Sequence, residues 1–328
     1  MSKVMNRLGR PAVTAAAAVV LSLTASGCVT VHGELEIVPT TTKAEAARAL
    51  DTFVTAYNKA EKSYDSSADA KYVTGALGAI DAAKLKAGRT LHPDGNPKHT
   101  ELKLTDTRFT VPKKAGWPRW FVADSDNNRL AGYRWVMVFT RDDVSEPFAV
   151  SYLTLFRDGK VPKFKTDGDG WGEAVTPDAG KLAVPPADLS KKYADYLDPK
   201  SDAADGFADG QHTTQWRASR KKNGTRPGLS TQYIDEPLVS GDYAPVALRT
   251  EDGGALVFFA TRRYEKQTAS PGSDLPAIGA SVKALMTGEP KQSATYGYVS
   301  NQAAFDPPGS GDVDVLARVE GITTAEGS

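Results

Sequence analysis

A single cysteine, Cys28, stands just after an uncharged stretch running from Ala12 to Ala25, itself preceded by Lys3, Arg7 and Arg10. That placement limits what can follow it. One thiol in 328 residues cannot close an internal disulfide or build a multi-thiolate metal site, so buried apolar area must hold the fold. The chain is 40% hydrophobic and 24% charged, enough for real cores over about two domains, which excludes a disordered or fibrous chain. The apolar stretch is shorter than the roughly twenty residues of a membrane span, so residues 1–27 read as a signal segment that is cleaved.

Thr24-Ala25-Ser26-Gly27-Cys28 resembles the lipobox of bacterial lipoproteins, departing from it at Ala25, where such boxes commonly carry Leu. The resemblance implies cleavage between Gly27 and Cys28, a diacylglyceryl group and fatty acids of the palmitate type on Cys28, and a lipidated tether over 28–43. Membrane lipid is thereby a partner through Cys28, and the mature chain is lipid-anchored on the extracytoplasmic face of the cell membrane. Two or more acyl chains suffice, since each buried CH₂ contributes about 0.8 kcal/mol. Arg7 and Arg10 are separated, so there is no twin-arginine signal, and export of an unfolded chain argues against a cofactor loaded in the cytoplasm. No cofactor and no metal are expected. The 40 basic and 40 acidic residues balance, and loss of 1–27 leaves a small negative excess, which excludes a nucleic-acid binder.

Beyond the tether the pattern is helical, then extended. Thr42 and Glu45 have capping-box spacing, and Ala46, Leu50, Phe53, Val54 and Tyr57 recur at helical intervals. A second helix is expected over 68–87, stopped by Gly88, and strands over 101–111, 119–124, 132–140 and 147–156. A proline-rich segment at 176–186 reads as a linker. Helices at 187–197 and 208–221, strands at 231–239, 243–250, 255–264, 293–301 and 312–320, and an inserted helical stretch at 275–286 follow. Arg119 to Asp124 then Arg134 to Arg141 parallels Pro245 to Thr250 then Leu256 to Arg262, each a strand, an acidic turn, an apolar strand and Thr-Arg. The expected fold is therefore α+β: two tandem helix-helix-antiparallel-sheet domains, 44–175 and 187–328. The topology loosely resembles the nuclear-transport-factor-2-like and cystatin-like groups.

The mature chain also resembles a family of actinobacterial lipoproteins. The residues carrying this are Val29 to Glu34, Pro112 to Trp120, Val150 to Thr154, Arg226 to Leu229, and Tyr243 to Pro245 with Ala255 to Phe259. This resemblance implies no activity.

Residues with chemical potential are few. Asp167, Asp169, Gly172 and Asp178 follow a calcium loop in part, but Trp171 occupies a position that needs a short oxygen ligand, so a glycine-rich turn is the better reading. Ser219-x-x-Lys222 and Ser125-Asp126-Asn127 spell two motifs of penicillin-recognising enzymes in reversed order and without the third; they read as coincidence, with Ser125 in a hairpin turn. His92, His99 and His212 could serve a triad that spacing cannot display, and His212 reads better as a helix-surface or capping residue. No catalytic residue is assigned. Trp117, Arg119 and Trp120 are the candidate binding residues, because Trp and Arg bring rigid area, stacking and bidentate donors to binding sites. Trp135 and Arg134 lie beside them in the pattern, and core packing is the ordinary fate of such tryptophans.

The function that needs no missing motif is a non-catalytic binding or interaction module of the cell envelope, engaging an envelope protein or a small ligand. Ligand capture for a transporter and surface hydrolysis are the alternatives.

Overall fold

Thr42 opens the first helix because its side-chain oxygen accepts from the Glu45 amide at 3.1 Å, relieving one of the unpaired N–H groups of the first turn. Glu45 completes no reciprocal cap. Its carboxylate accepts instead from Thr41 at 2.5 Å and from Arg141 at 2.9 Å, fastening the helix start to the sheet below. A computed structural model describes residues 36–179, 181–199 and 205–328. The expected signal segment, Cys28 and the first half of the expected 28–43 tether lie outside them.

The helices are α1 (Lys43–Ser63), α2 (Gly75–Leu91), α3 (Pro186–Leu197), α4 (Thr214–Asn223) and the short α5 (Ala280–Lys283). The strands of the first half are β1 (Val38–Pro39), β2 (Leu104–Thr110), β3 (Pro112–Lys114), β4 (Arg119–Asn127), β5 (Tyr133–Arg141), β6 (Ala149–Arg157) and β7 (Gly172–Val175). Those of the second are β8 (Thr225–Arg226), β9 (Leu229–Leu238), β10 (Val246–Arg249), β11 (Ala255–Ala269), β12 (Met286–Thr287), β13 (Ser293–Asp306) and β14 (Asp314–Gly327).

Two sheets result. The first is a four-stranded antiparallel meander, β2-β4-β5-β6. The second runs β1-β3-β7-β10-β11-β13-β14-β12, with β9 also paired to β11 and β8 to β9. Strand alternation in β4 and β5 sends Phe121, Ala123, Trp135, Met137 and Phe139 beneath Leu50, Phe53 and Tyr57 of α1. The intervening Trp120, Val122, Val136 and Val138 pack against Val246, Leu248, Leu256 and Phe258 of the second sheet. On that sheet's far face Ala247, Val257, Phe259 and Ala304 lie under Leu189, Tyr193 and Tyr196 of α3. The layers therefore run α1, first sheet, second sheet, α3. Each large side chain so buried contributes on the order of 1.5 to 3 kcal/mol.

The α+β class is as expected, and the halves are joined closely. β7 pairs with β10 across the 176–186 connection, where Leu182 and Val184 are buried and the Val184 amide donates to Asp306 at 3.3 Å. The core between the sheets is shared by both halves.

Several boundaries differ from the sequence reading for identifiable reasons. α2 begins seven residues later than expected, because the Asp69 carbonyl accepts from the Tyr72 and Val73 amides and holds 65–72 in turns. It also runs through Gly88. A Cβ there would stand 2.3 Å from the Tyr64 ring, so the bare glycine makes room for that ring and does not end the helix. Ser125, Asp126 and Asn127 continue β4 and do not form the turn; Ser125 is buried and hydrogen-bonds Thr107 at 2.9 Å. The turn follows, organised by Asn127, whose carboxamide donates to the Tyr133 carbonyl and accepts from the Arg129 and Leu130 amides. The 275–286 stretch makes only α5 and β12.

Candidate functional site

Pro112 to Trp120 reaches its place because β3 joins the second sheet and β4 the first, so residues 115–118 bend between the two. Trp117 lies in that bend, 39% exposed, with the Arg119 guanidinium 5.6 Å from its ring centre. Arg119 is fixed by donating to the Lys114 carbonyl at 2.8 Å. Lys114 in turn donates to the carbonyls of Gly116 and Pro118, at 3.0 and 2.8 Å, so the bend is tied by its own side chains. Burial, and then the Arg119 charge, push the Lys114 ammonium down to about 8. Trp120 differs from both. It is 3% exposed, in the core between the sheets, because strand alternation turns it inward one residue after Arg119; it has no surface to offer. The structure thus joins Trp117 and Arg119 and separates Trp120 from them.

Arg134 and Trp135 are also interior. Arg134 donates to Asp124 at 2.5 Å and to Asp106 at 3.0 Å, and Trp135 meets Tyr57 edge-on. Asp167 accepts from Lys113 at 2.5 Å and from the Asp169 and Trp171 amides, each at 3.0 Å. It therefore organises a turn, while Trp171 packs on the first core with Lys43 over its ring.

His212 sits in the turn before α4, and its carbonyl accepts from the Tyr193 hydroxyl at 2.5 Å. Burial, then the charge of Arg318, push its imidazole down to about 4. A base that weak is a poor proton acceptor near neutral pH. The His92 ring stacks on Tyr64, their centres 6.2 Å apart. Ser219 lies exposed on α4.

The densest chemistry was not singled out by the sequence reading. The guanidinium groups of Arg220, Arg263 and Arg318 lie 5.2, 5.6 and 4.7 Å from the Trp216 ring centre. Arg220 is clamped by both oxygens of Asp235, with Nη2 at 2.9 Å from Oδ1. Arg263 donates to Glu265 at 2.7 Å and to Glu320 at 2.8 and 3.2 Å, and Arg318 donates to Glu320. Burial alone would raise Glu320, but the charges of Arg318 and Arg263 prevail and hold its carboxyl below the ordinary range. Beside this network, between α4, β9 and β11, opens a cavity of about 250 Å³. The available signal was Trp216 and Arg220 one helical turn apart, followed by charged residues at alternate positions, Arg263 and Glu265, inside an apolar strand.

A second buried polar group lies at the first helix pair. Asp69 and Asp81 are both buried and hydrogen-bond each other, with no other side-chain partner among the described residues. Burial, then the neighbouring Asp81, push the Asp69 carboxyl up to about 8. Tyr57, Glu61, Lys84 and Arg129 surround the pair, Glu61 accepting from both Lys84 and Arg129.

Among the described residues no helix is long and apolar enough to cross a membrane. A family model described as a domain of unknown function, DUF8094, matches residues 37–327, across both sheets. The chain is 60% identical over 322 residues to an uncharacterised lipoprotein of Streptomyces coelicolor, covering 98% of this chain and 97% of that one. It is 56% identical over 326 residues to an uncharacterised lipoprotein of Streptomyces avermitilis, with the same coverage of 98% and 97%. A second uncharacterised lipoprotein of Streptomyces coelicolor is 24% identical over 345 residues, covering 97% and 94%. No solved structure matches the chain.

Proposed function

The chain belongs to the DUF8094 family, with uncharacterised Streptomyces lipoproteins among its relatives, and from that premise we propose that it is a non-catalytic binding module of the cell envelope, lipid-anchored through Cys28. The signal segment ending at Gly27 and the lone thiol after it support the anchor and an extracytoplasmic placement. The observation that carries the binding role is the exposed Trp117 ring with Arg119 held against it, three residues from a tryptophan that is wholly interior. Trp and Arg are both enriched among the residues that carry most of the binding energy at protein interfaces, and the partner envisaged is an envelope protein.

The tandem reading is part of the same proposal. Two helices precede a four-stranded antiparallel meander in each half: α1, α2 then β2-β4-β5-β6, and α3, α4 then β9-β11-β13-β14. This repetition supports a duplicated unit whose sheets pack face to face. It would align β4 with β11, one strand later than the sequence parallel, which sets β4 and β5 beside β10 and β11.

Two measurements test the proposal. Cys28→Ser should leave the protein unprocessed or release it from the membrane fraction; a variant that matures and partitions like the parent overturns the anchor. Cross-linking on intact cells should yield a discrete protein adduct in the parent, and a yield unaltered by Trp117→Ala overturns the role of the bend.

A further inference from the structure

We infer that the cavity between α4, β9 and β11 is a binding site for one neutral, hydroxyl-rich ring, a monosaccharide unit. Its volume of about 250 Å³ lies below the roughly 300 to 1,000 Å³ of sites for larger ligands, so it suits a single ring. Trp216 and Tyr233 supply aromatic wall, and Ser219, Asn223 and Gln267 supply groups that both donate and accept hydrogen bonds, with Asn223 bonded to Ser219 at 3.3 Å and to Arg226, and Gln267 to Glu265 at 2.9 Å. Hydroxyl groups do the same, and the C–H faces of a sugar ring suit aromatic surface.

The charges of the wall argue against an ionic ligand. Arg220 lines the cavity and is 4% exposed, but its guanidinium is already held by Asp235. Glu265 lines it too, and accepts from Arg263 at 2.7 Å and from Gln267 at 2.9 Å. Arg220 and Glu265 are thus each matched by a partner within the wall, and the remaining charge of the lining, Arg226, is exposed and donates to Asn223. A neutral polyol needs no charged partner there.

The wall is also rigid. The Arg220 guanidinium lies 5.2 Å from the ring centres of both Trp216 and Tyr233, and two further arginines surround the indole. Side chains held in this way lose little freedom when a ligand binds, which lowers the cost of binding. The site is remote in sequence from Trp117 and independent of the partner surface proposed there.

The test uses the full-length protein in detergent, titrated calorimetrically with glucose and N-acetylglucosamine, and with glucuronate and glucosamine as charged counterparts. Saturable millimolar binding of at least one neutral sugar is expected, with both charged sugars weaker. Ser219→Trp, which places an indole over the cavity from an exposed position on α4, should weaken binding at least tenfold without lowering the melting temperature. Gln267→Ala should weaken it severalfold and carries the same test should Ser219→Trp fail to fold. The proposal is overturned by no saturable binding of either neutral sugar up to about 50 mM, far above the millimolar range of weak small-ligand binding. Preference for a charged sugar, or unaltered binding in the folded variants, overturns it as well.

Discussion

The helix-covered faces of the two sheets are filled with different materials. Under α1 the space is occupied by rings: Phe121 stacks on Phe139 with centres 4.7 Å apart, and Phe53 and Phe148 meet this pair edge-on. On the second sheet an aromatic centre, Tyr193 against Phe259, gives way toward α4 to three arginines and three carboxylates around Trp216. The same helix-on-meander layout can thus be closed by non-directional burial or by matched charges, and the two respond differently to single substitutions.

The largest effects separate the two faces. Phe121→Ala should cost about 3 to 5 kcal/mol, because losing one ring of the stacked, edge-packed group leaves a cavity that the surrounding core fills only in part. Asp235→Ala should cost a similar amount, about 3 to 5 kcal/mol, since it strands the Arg220 charge in the interior. The distinction lies in rescue. Arg220→Met combined with Asp235→Leu should recover most of that loss, whereas no second apolar change restores a missing phenyl ring so simply. Urea midpoints of the single and double variants decide the matter, and an equally unstable double variant would mean the network is irreplaceable.

How much of this was legible follows from the same difference. The apolar runs Trp120 to Ala123 and Trp135 to Phe139 marked two strands of the first sheet, and Thr42 with Glu45 marked the first helix. The charge network stayed hidden because a buried arginine and a solvated one look alike in sequence; only pairing with Asp235, Glu265 and Glu320, up to 57 residues apart, distinguishes them. Gly88 misled for a related reason: its neighbour Tyr64 is close in space and remote in helix register. Trp117 and Trp120 were read together because alternation does not reveal where a chain passes from one sheet to the other.

The aromatic side contains its own exception, the Asp69 and Asp81 carboxyls near α1 and α2. With Asp69 pushed from 3.8 up to about 8, the folded chain holds a proton that the unfolded chain releases above about pH 4. Its stabilising contribution is therefore complete below pH 4 and is lost as pH rises toward 8. Asp69→Asn, whose amide stays neutral, should flatten that slope and gain on the order of 1 to 3 kcal/mol at pH 8 relative to the parent. Melting temperatures at pH 5 and pH 8 test it; a parent more stable at pH 8 than the variant would reverse the sign. A smaller effect is expected from Thr42→Ala, about 1 kcal/mol for the lost cap, since α1 is also fastened by Glu45 to Arg141.

The smallest expected effect on stability is the most informative about function. Trp117 and Trp120 are three residues apart, one 39% exposed in a bend and the other 3% exposed between the sheets. Trp120→Ala should cost several kcal/mol, roughly 3 to 5, as any large cavity would. Trp117→Ala should change stability by no more than about 0.5 kcal/mol, because the bend is held by Lys114 and Arg119 through backbone carbonyls that the substitution leaves in place. If Trp117 serves a partner, its loss should reduce the adduct formed on intact cells while the melting temperature stays put. If it were structural, the two readouts would move the other way, with stability falling and capture of the remaining folded protein intact. The contrast between these neighbouring indoles therefore separates a surface kept for binding from one kept for packing, within a single strand entry.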